Sequence, residues 1–166
     1  MLTDLVQIQR LGHQKLKENQ RFRVYLKTHN YSDRRLRRLA EQIESQIDCT
    51  QCANCCRVAE AGIKDRDIET LVKFLGVSPD EFRRDYTQRN QDDELILKRT
   101  EAGCVFLKDN LCTVYEARPR SCATFPNLVR GDGSIDSRMW RLIDRAAYCP
   151  IVYNWMEAVK QEMGFR

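Results

Sequence analysis

A chain of 166 residues can bury an apolar core of its own, so cysteine crosslinks are not needed merely to fold it. The composition, 42% hydrophobic and 31% charged residues, is that of a soluble globular protein, and no apolar run approaches the ~18 residues of a membrane span. The net charge of +4 is too mild to indicate a protein dedicated to nucleic acid or another polyanion.

The first residues do not read as a secretory signal. The sequence MLTDLVQIQRLGHQKLK mixes charged and apolar residues at helical spacing and lacks a continuous apolar stretch. We therefore expect a cytoplasmic protein, in which thiols stay reduced. Eight cysteines in that compartment are better explained as metal ligands than as four disulfides, and a secreted disulfide scaffold remains the alternative.

The N-terminal part of the chain is predicted to be helical. Apolar residues at helical spacing predict one long polar helix over about residues 1–30, which the sequence NYSD ends. Ser32 or Asp33 can cap a second helix that runs to Ile47. Its arginine-rich start, RRLRR, is interleaved with leucines, so a solvated helix face explains it better than a nucleic-acid site.

Two shorter helices are predicted after the first group of cysteines. One covers residues 67–75, where apolar residues recur at helical spacing and Gly76 can end the helix. The next begins at SPDEF, with Ser78 as the N-cap and Glu81 at the third helical position, which is a capping box.

The chain then changes character. ELILK, CVFL and LCTVY are predicted strands, and KDN is predicted to be the turn between the last two, so Cys104 and Cys112 should lie near the ends of one hairpin. A last helical region over about residues 137–163 is interrupted at Cys149 and should bury Trp140.

The predicted fold class is therefore mainly α with a small antiparallel β-hairpin or sheet, an α+β arrangement in a metal-stabilised single domain. Within it we distinguish an N-terminal helical segment, residues 1–47, from a cysteine-cluster metal-binding domain, residues 48–166.

The chemistry of the sequence is concentrated in its thiols. Thiolates are soft ligands for zinc and for the iron of iron–sulfur clusters, and two residues between cysteines let both sulfurs face one metal. A thioredoxin-like dithiol would need a strand before the motif and a helix after it, whereas a helix precedes it here. The candidate metal ligands are Cys49, Cys52, Cys55, Cys56, Cys104, Cys112, Cys122 and Cys149.

Three of these cysteines have a spacing known from electron carriers. Cys49, Cys52 and Cys55 are spaced like three cluster ligands of bacterial ferredoxins. Ferredoxin runs end in Cys-Pro, and Cys149 is followed by Pro150, so we expect Cys149 to be the remote fourth ligand of this cofactor-binding group. A helix start that places Cys before Pro by coincidence is the alternative.

The adjacent cysteines pose a geometric problem, because neighbouring side chains diverge and cannot readily serve one mononuclear site. Cys55 and Cys56 can divide between two metal sites, bridge a multinuclear cluster, or include one thiol that is not a ligand. If they divide, Cys56 is left to join Cys104, Cys112 and Cys122, and the eight thiols split four and four.

Three stretches together resemble the CxxCxxCC cysteine-cluster family, whose members are described as zinc- or iron-chelating or as iron–sulfur proteins. They are CTQCANCC, GCVFL and the run C-x-x-Y-x-x-R-P-x-x-C-x-x-F-P. The resemblance extends from about Cys49 to Pro126 and implies a metal site made by the first seven cysteines. Its other signature positions are Tyr115, Arg118, Pro119, Phe125 and Pro126.

Two features separate this chain from relatives with the same pattern. The family often has arginine where this chain has Ala123. The flagellin lysine methylases are similar in their cysteine pattern but are much longer, and nothing here matches a methyl-donor domain.

The predicted function is a cysteine-cluster metal-binding protein with a structural, redox or regulatory role, holding an iron–sulfur cluster, first of all [4Fe–4S], or Zn²⁺. Alternatives are a zinc-stabilised module that binds an acidic partner and a methyl- or electron-transfer component. No phosphate-binding glycine loop, hydrolase elbow or two-histidine motif is present, which weighs against an enzyme. We expect a protein partner rather than nucleic acid or a membrane.

Overall fold

The computed structural model describes all 166 residues, and it is mainly helical with three two-stranded antiparallel sheets. The predicted α+β class is confirmed. The residues divide into two compact units, which we name the helical unit (Met1–Asp48 and Phe125–Arg166) and the cysteine unit (Cys49–Thr124). Whether residues 1–47 and 48–166 act as separate domains stays a prediction.

The regular elements are short, as expected for a chain with many caps and turns. The helices are α1 (Leu5–Gln14), α2 (Leu16–Thr28), α3 (Asp33–Glu44), α4 (Cys49–Cys52), α5 (Asn54–Val58), α6 (Asp65–Leu75), α7 (Pro79–Tyr86), α8 (Arg120–Ala123), α9 (Ile135–Arg145) and α10 (Pro150–Glu162). The strands are β1 (Thr87–Arg89), β2 (Leu95–Leu97), β3 (Arg99–Thr100), β4 (Gly103–Cys104), β5 (Leu107–Lys108) and β6 (Leu111–Cys112). None of the helices combines the length and the apolar character needed to cross a bilayer.

The helical unit begins with two helices where one was predicted. Asp4 caps α1, because its carboxylate accepts the backbone N–H of Gln7 at 2.7 Å. The break lies at Lys15, whose φ of −88° and ψ of 5° leave the helical range. No proline or glycine stands at this position, so the sequence offers no local signal for the break.

The core of the helical unit forms where α3, α9 and α10 pack with α2. Trp155 is fully buried there, and its indole N–H donates to the carbonyl of Leu36 at 3.1 Å. Trp140, which was expected to be buried, is 55% exposed with the Arg141 guanidinium over its ring. It lies on the outer face of α9, between the buried Met139 and the exposed Arg141.

The cysteine unit has its own smaller core, in which α6 and α7 pack on the strands. Ser78 is the N-cap of α7 as predicted, since its hydroxyl accepts the N–H of Glu81 at 3.2 Å, which is one half of the predicted capping box. Gly76 ends α6 in the left-handed conformation, with φ 70°, as its position in the sequence predicts. The buried residues of this core are Ile63, Ile68, Leu71, Phe82, Leu97, Phe106, Val114 and Ala117.

The three ladders of the cysteine unit place the downstream thiols. In the β3–β4 ladder Cys104 lies opposite Arg99, and in the β5–β6 hairpin Cys112 lies opposite Leu107. Asp109 and Asn110 form the hairpin turn with positive φ values of 48° and 65°. Cys104 and Cys112 thus belong to two ladders, and not to the single hairpin that the alternation indicates.

Candidate metal centre

The first group of cysteines lies on two short helices and not in an open loop. Between α4 and α5 the buried Ala53 adopts the left-handed conformation, with φ 48° and ψ 13°, and its N–H donates to the carbonyl of Cys49 at 3.1 Å. Arg57 donates to the carbonyl of Cys52 at 3.2 Å. Cys49 is exposed, whereas the other three thiols of the group are half-buried.

The two hairpin thiols share a local feature that suits metal ligands. The backbone N–H of Phe106 is hydrogen-bonded to the sulfur of Cys104, and that of Val114 to the sulfur of Cys112. In both cases the donor lies two residues after the cysteine. Hydrogen bonds to the ionised form favour it, so this turn offsets part of the charge of a thiolate.

Cys122 is held in place by its neighbours on α8. The backbone N–H of Arg120 donates to Asp67 at 2.9 Å, and the hydroxyl of Ser121 donates to the carbonyl of Gly62 at 2.7 Å. The Ser121 side chain is also hydrogen-bonded to the Cys122 sulfur. Residues on α6 and before it therefore fix the short helix that supplies this thiol.

Four half-buried thiols lie close enough to affect one another's ionisation. Burial, with added repulsion from negative charge on Cys104, Cys56 and Cys112, raises the pKa of Cys122 to about 12. Burial also raises the pKa of Cys104, with added repulsion from Cys56 and Cys112. The pKa of Cys112 is raised in the same way, by burial and then by Cys56. In every pair among these four thiols, negative charge on one thiol therefore raises the pKa of the other.

Cys56 is the exception in the direction of its pKa. A hydrogen bond with the neighbouring Cys55 thiol and the charge of Arg57 together lower the pKa of Cys56 to about 7, against the opposing effect of burial. The Cys56 thiol therefore has two kinds of neighbour: the Cys55 thiol, which is hydrogen-bonded to it, and the three downstream thiols, whose pKa values its charge raises.

Arginines stand beside the thiols from three different segments. The charge of Arg57 acts on Cys56, that of Arg99 on Cys104 and that of Arg118 on Cys112, in each case lowering the thiol pKa. The guanidinium carbon of Arg118 lies 3.9 Å from the centre of the Tyr115 ring, which fixes it at this position. Two signature residues of the sequence pattern thus form one cation–π pair.

Cys149 lies in the helical unit. It is only 5% exposed and belongs to the apolar core of that unit. It is the N-cap residue of α10, directly before Pro150 at the first helical position, so the Cys-Pro pair does mark a helix start. Its assignment as a ligand stays a prediction.

The donor set contains the soft ligands that zinc and iron prefer, but its side chains are not drawn together around a metal position. No disulfide joins the cysteines, and no group of three or more His, Cys, Asp or Glu side chains is placed to hold an ion as the side chains stand. Binding therefore requires the thiols to draw together to Zn–S distances of about 2.3 Å. Four soft donors, N–H groups on two of them and three arginines nearby fit a zinc or iron centre.

Several residues around these thiols are not indicated by the sequence. Gly103 and Arg99 contact the segment after Cys56 from the β3–β4 ladder, and Ser121 joins Cys122 to Gly62. Gly103 belongs to the GCVFL stretch, and a glycine directly before a cysteine is a sequence signal for close backbone packing beside that thiol. Arg99 has no such signal, because its role depends on a pairing across 42 positions of sequence.

Comparison with known proteins bears on the same segment. The family model CxxCxxCC, described as a putative zinc- or iron-chelating domain, matches residues 48–150. This range is more than half of the chain and contains all eight cysteines. No solved structure gives a significant match.

Proposed function

The chain belongs to the CxxCxxCC family of zinc- or iron-chelating domains, and we propose that it binds the metal through the thiols of Cys56, Cys104, Cys112 and Cys122. The observation that supports this ligand set is that the four thiols lie close enough together for the charge on one to raise the pKa of another. They come from one helix, two separate ladders and a second helix of the cysteine unit. Such convergence from four segments is typical of a metal centre.

Residues of this chain would prepare the thiols for the metal. The N–H groups of Phe106 and Val114 stabilise ionised sulfur at Cys104 and Cys112. Four thiolates around Zn²⁺ leave two negative charges, and Arg57, Arg99 and Arg118 offset them. Bound zinc would supply a crosslink between segments, and an iron–sulfur cluster would add one-electron redox chemistry.

We propose an iron–sulfur cluster, [4Fe–4S] before other types, ahead of zinc, with a structural, redox or regulatory role. The ferredoxin-like spacing of Cys49, Cys52 and Cys55 supports this order. The sequence predicts Cys149 as their fourth partner, which gives a four-and-four division of the thiols. An electron-transfer component would follow from a cluster, whereas a methyl-transfer component has no support beyond the sequence pattern.

Metal and sulfide analysis after anaerobic purification tests the proposal. Iron with acid-labile sulfide indicates a cluster, and a colourless protein with zinc indicates a zinc centre. Replacing the four proposed ligands together by serine should remove the metal that this group holds and leave only the metal held by the other thiols. Val58→Ser is the matched control, because Val58 is half-exposed beside Cys56 but offers no donor atom. A wild-type protein that retains neither metal would contradict the proposal.

A zinc-stabilised module that binds an acidic partner is the second candidate, and one observation on α3 favours it. Arg35 is ion-paired with Glu162, and Arg37 with its helix neighbour at position 33. Arg34 and Arg38, one turn apart, are exposed and make no ion pair. Replacing both by serine should weaken salt-dependent binding to polyglutamate, and unchanged binding would remove this candidate.

A further inference from the structure

We propose that Gly103 and Arg99 are positioning residues that seat the Cys56 backbone against strand β4, and that they thereby select Cys56, and not Cys55, to join the downstream thiols. The inference rests on the proposed function, because it concerns the same metal centre. It assigns a role to two residues that offer no donor atom to a metal.

The contact at Gly103 excludes every other residue type. A Cβ atom at this position would lie 2.6 Å from the carbonyl oxygen of Cys56 and 2.8 Å from the Cα of Arg57. Both distances are far below van der Waals contact, and both partners are backbone atoms that no rotamer change can move. The φ of Gly103 is +123°, which side chains also disfavour. Because Gly103 has no side chain, the backbone of α5 can pack directly against strand β4 at this position.

Arg99 holds the same segment from the opposite strand. It lies directly across the β3–β4 ladder from Cys104, and its guanidinium donates to the carbonyls of Arg57 and Ala59. The two bonds use different nitrogens of one planar group, which a lysine cannot reproduce. The backbone at the end of α5 is thus held at two carbonyls, those of Arg57 and Ala59, by the residue opposite the proposed ligand Cys104.

This seating distinguishes the adjacent thiols. Successive residues of a helix project about 100° apart around its axis, so only one of the two side chains can face the strand on which α5 lies. The carbonyl that contacts Gly103 belongs to Cys56, so the backbone of this residue, and not that of Cys55, is the one packed against the strand that carries Cys104. Cys55 is hydrogen-bonded to Cys56.

Three glycine variants distinguish the loss of the contact between Gly103 and the Cys56 backbone from the strain of adding a Cβ atom elsewhere. Gly103→Ala should weaken Zn²⁺ binding by at least about tenfold in chelator competition, the usual size of an outer-shell effect. Gly164→Ala and Gly76→Ala each add a Cβ at positive φ, +65° and +70°, with nothing within 4 Å. Both controls should bind Zn²⁺ as tightly as the wild type, even if Gly76→Ala lowers the melting temperature. Equal affinity for Gly103→Ala overturns the proposal.

If Gly103→Ala does not fold, Arg99 provides the second test. Arg99→Lys keeps the charge but loses the paired donors, so it should weaken Zn²⁺ binding nearly as much as Arg99→Gln does. Full affinity in Arg99→Lys would show that charge alone acts and would overturn the positioning role. With Cys49, Cys52 and Cys149 replaced by serine so that only one thiol group remains, thiolate-to-Co²⁺ charge-transfer absorption should fall in Cys56→Ser and persist in Cys55→Ser. The reverse result overturns the selection.

Crosslinking of the metal-free protein separates this inference from the proposed function. A short bis-alkylating thiol reagent, followed by peptide mapping, should join Cys56 to Cys104 in the wild type and much less in Gly103→Ala. If the wild type gives this crosslink but retains no metal, the proposed function fails and the positioning role stands. If Cys55 reacts in place of Cys56, the positioning role fails whether or not metal is bound.

Discussion

Phe106 donates its backbone N–H to the sulfur of Cys104, two residues earlier in the chain. The donor belongs to a residue that is itself buried in the core of the cysteine unit, so packing holds the N–H in place. A thiolate at Cys104 therefore meets a hydrogen-bond donor that needs no rearrangement. The same relation holds between Val114 and Cys112.

Removal of the metal should lower the melting temperature of the protein. Strands β3 to β6 have only two residues each, so little regular backbone pairing holds the segment that supplies the downstream thiols. Structural zinc contributes about 10–16 kcal/mol in small zinc fingers, and even part of this is large beside a typical stability of about 5–15 kcal/mol. Thermal melts followed by circular dichroism, before and after chelation, measure the effect, and Cys52→Ala should act in the same direction. An unchanged melt after verified metal loss would contradict this prediction.

The metal-free protein should lose stability as the pH rises above about 9. Burial raises the pKa of Cys122 to about 12 from an ordinary value of 9.0. The unfolded chain releases this proton first, so the stability contributed by the neutral thiol is fully present below pH 9 and is lost toward pH 12. Urea unfolding at pH 7 and pH 10 measures the decline.

Two variants check the origin of that decline. Cys122→Ser should reduce it, because serine does not ionise in this range, whereas Cys49→Ser at an exposed position should leave it unchanged. Bound metal should act in the opposite direction, since thiol ligands bind it as thiolates and its affinity rises with pH. A decline of equal size in Cys122→Ser would assign the effect to other groups.

Gly12→Ala should destabilise the helical unit although alanine favours helices. A Cβ on Gly12 would lie 2.4 Å from the Cα of Ala147, a backbone atom of the same unit. Overpacking of this kind costs about 1–3 kcal/mol, which exceeds the gain of about 0.5–1 kcal/mol from helix propensity. Urea denaturation measures the sign. Gln14→Ala, at an exposed position of α1, is the control and should change stability by less than about 0.5 kcal/mol.

Cys149 tests the four-and-four division of the thiols. If it is a ligand, Cys149→Ser and Cys149→Ala should both lower the metal or cluster content while most of the secondary structure remains, and this is the expected result. If it only packs in the apolar core, both variants should keep the full metal content. In that case serine should also destabilise more than alanine, because it buries a hydroxyl. Metal analysis and thermal melts on both variants distinguish the two outcomes.

The sequence predicted best what local chemistry decides. The start of α7 at Ser78 and the end of α6 at Gly76 follow from residues within one turn of each boundary. The break at Lys15 and the exposure of Trp140 have no such local cause. Tertiary packing decides both, and a periodic pattern cannot show which of several apolar residues meets a neighbouring helix.

In the candidate centre, too, some features follow from the local sequence and others depend on how distant segments pack. The spacing of the cysteines indicated metal binding, and the four-thiol group of Cys56 and the downstream cysteines was among the alternatives. The placement of Cys104 opposite Arg99 required the register of a two-residue ladder, which alternation over so few residues cannot fix. The contact between Gly103 and the backbone of Cys56 likewise depends on a pairing of distant segments.

The convergence of thiols from distant segments also has a consequence for biosynthesis. A ribosome adds about 5–20 residues per second, so roughly 3–13 s pass between the emergence of Cys56 and that of Cys122. During this interval the first cysteines are present on the nascent chain without their downstream partners. On the proposed ligand set, stable loading of the centre would therefore follow translation of most of the cysteine unit, and metal supplied earlier would populate incomplete, exchangeable sites.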